Sequence, residues 1–243
     1  MAPSGSPEEV LRSSLERVCD VRGLTVTDSG FFVKKELSYR WQVGSGRFTF
    51  FASDYMEDAP REAMDGFTEG AVSRILDTRR NRKPFGDAFT DYIKSDDFVL
   101  SKRPVYLKRS RNLAMNETGQ YRSIADSINR LYDMGLLRDS DIDNAVITWT
   151  KKPNYNRVGY CSTMFRVVTI SSVLDSPDFT ERALDEVVYH ECMHLRQGYR
   201  PFDPNPHDAE FHRNMKLFTG LDEAEKEIGR IPYMKPRKGS KRA

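Results

Sequence analysis

The sequence predicts an α+β protein, because two stretches have the residue spacing of strands and a third has that of a helix. Residues 31–52 alternate between apolar and polar side chains around a short glycine-containing turn, and residues 156–171 alternate in the same way. Residues 177–196 instead repeat apolar side chains at spacings of three, four and seven. Alternation with a period of two indicates strands, whereas the longer spacing indicates one face of a helix. The chain is therefore expected to combine hairpins with a long amphipathic helix.

The composition is that of a globular protein with almost balanced charge. Of 243 residues, 38% are hydrophobic and 30% charged, with a net charge of +2 and a mean hydropathy of -0.64. No apolar stretch approaches the roughly 20 residues of a transmembrane helix, and the first residues lack the basic and apolar regions of a signal peptide. Cys19, Cys161 and Cys192 form no CxxC pair, which favours a reducing compartment. We therefore expect a cytoplasmic protein that does not bind membranes.

The first hundred residues are expected to form an α/β extension with a hairpin and two helices. Alternation around Gly44-Ser45-Gly46 predicts the hairpin. A helix is expected to begin at Ala59-Pro60, and a shorter one to span residues 85–95. The apolar face of the first helix is formed by Ala63, Met64, Phe67, Ala71 and Ile75.

A domain boundary is expected near residue 100. Residues 78–84 and 98–120 are polar and broken, as is typical of connecting segments. Residues 1–100 would then be a lid, a substrate-recruiting module or additional core, and the sequence leaves all three open. Residues 101–234 would form the second domain, and residues 235–243 a basic, disordered tail.

The helix predicted over residues 177–196 carries the most informative motif of the chain. Ser176-Pro177 is a suitable helix start and Gly198 a suitable stop. Within the helix, residues 190–194 read His-Glu-Cys-Met-His, the pattern HExxH. Residues four apart share a helix face, so His190 and His194 can direct two imidazoles to one metal ion. Glu191 lies one position around the helix, where it can reach a water bound to that ion.

A third ligand is expected downstream of this helix. All four histidines of the chain lie between residues 190 and 212, and a catalytic zinc usually takes three protein ligands and leaves one position for water. His207 would lie in the first turn of a helix that carries Phe211, Met215 and Phe218. His212 is about 140° further around such a helix and cannot easily bind the same ion. His207 is therefore favoured, with Glu210 as its main rival.

The run from Ile147 to Phe218 resembles the SprT-like and YgjP-like zinc metallopeptidases, also grouped as minigluzincins within the zincin clan. The resemblance rests on five pieces of the chain, with fainter similarity over Tyr106–Ser110 and a helix from Tyr121 to Met134. These pieces are Ile147-Thr148-Trp149, Gly159-Tyr160-Cys161, Val167-Val168-Thr169-Ile170-Ser171, His190 to His194, and His207 to Phe211. Many SprT members also carry a cysteine-rich zinc ribbon, which this sequence lacks.

The resemblance implies a zincin-like domain with a small mixed sheet, one zinc ion and a peptide or protein substrate. It makes His190, His194 and His207 the metal ligands and Glu191 the general base. Neutral imidazoles would hold the metal, and the Glu191 carboxylate would take a proton from the activated water. The hairpin over residues 156–171 could offer its edge to an extended peptide, or could serve only to support the helix.

Several neighbours of the motif are candidates for supporting roles. Asp185 and Asp208 could hold the ligating imidazoles, although a solvated carboxylate is the commoner case. Tyr199 and Tyr233 are candidates for the donor that stabilises an oxyanion, by position alone. Cys192 points away from the ligand face, and we expect it to be a small buried hydrophobic residue.

Two other functional classes are compatible with the sequence. Basic clusters could bind DNA, which would suit a protease acting on DNA-associated proteins, but the net charge of +2 favours solvated faces instead. The clusters are Arg79, Arg80, Arg82 and Lys83; Lys102, Arg103, Lys108, Arg109 and Arg111; and Lys235, Arg237, Lys238, Lys241 and Arg242. Alternatively, zinc could be structural, which requires a fourth protein ligand from His212, Glu210 or Cys192.

Overall fold

The chain folds into two compact units, one up to Arg109 and one from Ser110 onward. The computed structural model describes residues 5–202 and 205–236, so most of the expected basic tail lies outside the described residues. Each unit combines helices with one three-stranded sheet, which confirms the predicted α+β class. None of the described helices has both the length and the apolar character needed to cross a membrane.

The first unit packs helices against a mixed sheet. Its strands lie in the order β1-β3-β2, with β1 parallel and β2 antiparallel to β3. Apolar side chains of β3, among them Phe48 and Phe50, are fully buried with Leu11 and Phe67. The elements are α1 (Pro7–Asp20), β1 (Thr25–Phe32), β2 (Tyr39–Gly44), β3 (Arg47–Ser53), α2 (Arg61–Leu76), α3 (Asp87–Lys94) and α4 (Asp96–Arg109).

The hairpin and two helices predicted for this unit are observed, but the polar stretch over residues 98–120 is irregular only after Arg109. Helix α4 continues to Arg109, and the division between the units falls there rather than near residue 100. Pro104 lies inside this helix, where a proline removes a backbone donor and ordinarily ends the element. The prediction of a connecting segment is therefore wrong for residues 98–109 and agrees with the structure for residues 110–120.

The second unit is organised around one long buried helix. Helix α7 packs against the other helices of the unit and against two of its strands. The strands lie in the order β4-β6-β5, with β4 parallel and β5 antiparallel to β6. The elements are α5 (Ile124–Asp133), α6 (Asp139–Ile142), β4 (Val146–Trp149), β5 (Gly159–Ser162), β6 (Val167–Ile170), α7 (Glu181–Gln197), α8 (Ala209–Met215) and α9 (Leu221–Ile228).

Helix α7 ends where expected but begins four residues late. Gly198 has a φ of +71°, a conformation that favours glycine, and its N–H bonds to the carbonyls of His194 and Leu195. The N-cap is Thr180, whose hydroxyl accepts the Ala183 N–H at 3.2 Å. A start at Ser176-Pro177 is therefore wrong, because the chain makes a separate turn there, closed by Phe179 N–H and Ser176 O.

Strand β5 forms one edge of this sheet and contacts α7. On the other side of the sheet, the backbone of residues 112–116 bonds to Trp149 and Lys151 at the end of β4. Strand β5 pairs with β6 alone among the described strands. An edge strand therefore runs beside the helix that carries the HExxH motif.

Candidate metal centre

Three imidazoles meet at the C-terminal end of α7. The ligand atoms of His190, His194 and His207 all lie within 4.8 Å of one another. The Nε2 atoms of His194 and His207 are 3.1 Å apart. Two donors bound to one tetrahedral ion at about 2.0–2.1 Å would lie roughly 3.3 Å apart, so the spacing suits a metal ion. The structure thus brings together the three ligands predicted from the sequence.

The position of His207 is fixed by the chain just before α8. Asp208, not His207, begins this helix: its carboxylate accepts the Phe211 N–H at 2.9 Å and caps the first turn. The same carboxylate accepts hydrogen bonds from Gln197 and Arg200 at the end of α7. The expectation that His207 lies in the first turn is therefore wrong by two residues, because the capping side chain follows it.

The ring of Phe211 packs against all three imidazoles. Its ring centroid lies 4.9 Å from that of His190, 4.7 Å from His194 and 4.6 Å from His207, and the residue is 2% exposed. Tyr189 ties the same helices together through a bond to Asn214 O at 2.9 Å. His190 and His194 thus belong to α7 and His207 to the exposed chain before the Asp208 cap, and all three rings contact Phe211.

His212 lies outside the cluster of three imidazoles, as predicted, although His207 precedes the helix instead of sharing it with His212. Its ring centroid is 6.4 Å from that of His207, and the residue is exposed. Among the described residues, the group containing the three imidazoles gains no further histidine, cysteine or carboxylate. Cys192 is fully buried in the apolar core, which agrees with the prediction for its side chain. Within residues 5–202 and 205–236, no further side chain fills the fourth position of a tetrahedral ion bound there.

The surroundings keep the imidazoles in the neutral form that binds metals. Burial, together with the charges of the neighbouring histidines, lowers the pKa of His190 to about 3. Burial and His207 likewise lower the pKa of His194 to about 4, against a hydrogen bond with Gln197 that raises it. Burial and the charge of His212 lower the pKa of His207 as well. All three rings can therefore donate a lone pair to a cation at neutral pH.

Glu191 is buried beside the ligands, against strand β5. The residue is 7% exposed, and burial raises the pKa of its carboxyl group to about 8, with Arg157 lowering it and Glu186 raising it. A Cβ on Gly159 would lie 2.4 Å from Glu191 Oε1, so only glycine leaves room for this carboxylate. A bound cation would favour the ionised form of the group.

Glu186 is a buried neighbour of His190 that the residue pattern did not single out. Its carboxylate oxygen lies 4.0 Å from Nδ1 of His190, and the side chain is 8% exposed. This distance is longer than a hydrogen bond, so the carboxylate is a neighbour of the ring nitrogen rather than its bonded partner. The signal was present in the sequence, because residues 186 and 190 are four apart and share a helix face.

Asp185 and Asp208 do not hold the imidazoles directly, which was the role for which they were candidates. Asp185 is buried but accepts two hydrogen bonds from Arg130, at 2.8 and 2.6 Å, and so joins α7 to α5. Asp208 accepts a hydrogen bond from Gln197, which also bonds to His194. Tyr233 is 89% exposed. Within the described residues, neither carboxylate bonds directly to an imidazole.

The basic clusters of the first unit are partly neutralised. Lys83 pairs with Glu69, Lys102 with Asp58, and Arg109 with Asp54. Arg79, Arg80 and Arg82 are exposed in the loop after α2. Pairing reduces the charge that these clusters could offer to phosphates, so nucleic-acid binding stays a prediction without added support.

Comparisons with known proteins identify no relative: the chain matches no family model, no curated protein and no solved structure.

Proposed function

We propose that this chain is a zinc metallopeptidase with a zincin-like second unit, which hydrolyses peptide bonds with Glu191 as the general base. The observation that carries this proposal is the convergence of three imidazoles within 4.8 Å, with a buried carboxylate on the residue next to one of them. Three nitrogen ligands and an open fourth position are typical of catalytic zinc, whereas structural zinc is usually bound by four protein ligands. Imidazole ligands favour zinc over the hard cations that prefer oxygen.

The chain's own groups have complementary tasks in this reaction. His190, His194 and His207 would hold the ion, which supplies a water of lowered pKa and polarises the scissile carbonyl. Glu191 accepts a proton from that water at its carboxylate and later donates it to the nitrogen of the leaving amine. Phe211 packs against all three imidazoles and limits their movement. The edge strand β5, which runs past Glu191 at Gly159, is where an extended peptide could add by backbone hydrogen bonds.

Metal content measured by mass spectrometry tests the ligand set. We expect about one zinc per chain in the wild type and loss of zinc in both His190→Ala and His207→Ala. His212→Ala is the matched control and should keep its zinc. Zinc retained in His207→Ala would move the third ligand to another residue.

Peptidase assays on a quenched fluorescent peptide library and on casein test catalysis. Glu191→Gln keeps the shape of the side chain, so it should keep zinc and lose at least about 100-fold in rate, the size of a general-base contribution. Activity unchanged in Glu191→Gln would contradict the proposal and favour a structural role for the metal.

A further inference from the structure

The loop before strand β5 is held in one conformation by a compact set of hydrogen bonds. Asn154 Oδ1 accepts the backbone N–H groups of Asn156 and Arg157 at 3.0 and 3.1 Å. Ser171 Oγ accepts the Asn154 N–H at 2.7 Å and donates to the Asn154 carbonyl at 3.0 Å. The Ser171 N–H in turn bonds to Val158 O at 2.7 Å. The backbone of Arg157 is therefore fixed relative to β5 and β6.

The guanidinium of Arg157 lies at the edge strand beside the candidate site. Its Cζ is 4.4 Å from the ring centroid of Tyr160, an ordinary cation–π distance. Tyr160 follows Gly159, the residue that contacts the carboxylate of Glu191. Arg157 thus lies two residues before the glycine against which Glu191 packs, at the start of the edge strand.

Arg157 differs from two other arginines of the second unit in the groups that it contacts. Arg130 and Arg196 form close ion pairs with Asp185 and Asp141. Arg157 is exposed, and within residues 5–202 and 205–236 it forms no ion pair with a carboxylate. Its guanidinium lies over the ring of Tyr160 in an exposed residue, and an exposed guanidinium suits a group that binds a carboxylate from outside the chain.

We propose that Arg157 is a specificity-determining residue, which selects peptides with an aspartate or glutamate side chain close to the scissile bond. This inference rests on the proposed peptidase function and names its substrate class. A peptide aligned along β5 would pass the Arg157 guanidinium on its way to Glu191. A carboxylate side chain there can accept two parallel hydrogen bonds, whereas a lysine side chain would be repelled.

The first part of the test measures cleavage. A mixture of peptides is digested by the zinc-loaded full chain, and the residues that flank each cleaved bond are identified by mass spectrometry. Matched peptides with glutamate or lysine at the preferred position then give kcat/KM. We expect about a 10-fold preference for glutamate in the wild type, a reversed preference in Arg157→Glu, and a reduced preference in Arg157→Gln.

The second part measures binding without catalysis. The zinc-loaded Glu191→Gln variant is titrated with the same fluorescein-labelled peptides, and fluorescence anisotropy reports their Kd. The glutamate peptide should bind about 10-fold more tightly than the lysine peptide, and the added Arg157→Glu substitution should reverse this order. Lys226→Glu, an exposed residue of α9, makes the same change in net charge and should leave both ratios unchanged.

The outcomes separate this inference from the proposed function. Cleavage with an unchanged charge preference in Arg157→Glu would overturn the role of Arg157 and leave the peptidase proposal standing. An equal loss of kcat for both peptides in Arg157→Gln would also overturn it, because the residue would then assist the chemistry rather than the choice of substrate. Absence of cleavage, with reversed binding preference, would reject the peptidase and retain a carboxylate-binding Arg157. Absence of both cleavage and binding would reject both.

Discussion

The residues of the metal centre differ in how far the sequence could predict them. His190, Glu191 and His194 lie within five residues, and helical geometry alone sets their relation. His207 could be favoured but not fixed, because its place depends on the loop after Gly198 and on the Asp208 cap. The contact between Gly159 and Glu191 joins residues 32 positions apart and required the fold, since no local spacing indicates it.

That contact predicts a strong effect of a single methyl group. In Gly159→Ala the new Cβ would lie 2.4 Å from Glu191 Oε1, so the carboxylate must move. We expect kcat/KM to fall by about 100-fold, since a displacement of about 1 Å can have that effect, while zinc content and melting temperature change little. Gly44→Ala is the control, because nothing lies within 4 Å of a Cβ there. Full activity in Gly159→Ala would show that Glu191 is not confined as described.

The ion pair between Asp141 and Arg196 predicts how acid weakens the second unit. Burial acts to raise the pKa of Asp141, but hydrogen bonds from Arg196 and from the Arg138 backbone outweigh it and lower the pKa below 3.8. The folded state therefore holds this proton less tightly than the unfolded chain. Its contribution to stability is complete above the unfolded pKa and is lost as the pH falls through the folded value.

Urea unfolding of the metal-free protein measures this contribution. At pH 6, Asp141→Asn should lower the free energy of unfolding by about 2 kcal/mol, the usual range for a hydrogen bond to a charged group. The difference from wild type should shrink progressively as the pH is lowered below 3.8. Asp133→Asn, which changes an exposed residue at the end of α5, should differ from wild type by less than about 0.5 kcal/mol at either pH. A difference that is independent of pH would contradict the assigned ionisation.

Helices and strands with a periodic pattern of apolar residues could be predicted from the sequence. Those that depend on capping residues or on pairing between distant strands were not predicted. The hairpin of β2 and β3, helix α2 and helix α7 are amphipathic or alternating, and they are observed. Helix α1 was not predicted, although Ser6 and Glu9 form a capping box that could have indicated it. The parallel pairing of β1 with β3 could not be predicted, because it depends on contacts between distant residues.

Helices α7 and α8 should respond to the metal as a pair. A metal held by His190, His194 and His207 connects the end of α7 to the start of α8. At a zinc concentration 100 times the Kd, binding adds about 2.7 kcal/mol to the folded state. Hydrogen–deuterium exchange should therefore slow in residues 205–216 when zinc is added, and the effect should be absent in His207→Ala. Exchange in α1 serves as the internal control. Equal exchange with and without zinc would show that the metal does not join these helices.

At the scale of the whole molecule, every part of the candidate centre belongs to the unit that begins at Ser110. This unit contains the three imidazoles, Glu191, the strand that confines it and a continuous apolar core around α7. We predict that a fragment of residues 110–243 folds and binds about one zinc per chain, since a domain with its own core can fold alone. A cooperative thermal transition that zinc shifts upward, together with metal content by mass spectrometry, would verify this. His194→Ala in the same fragment should remove the zinc-dependent shift. A fragment without a cooperative transition would mean that the core around α7 is not sufficient by itself and that the centre depends on residues before Ser110.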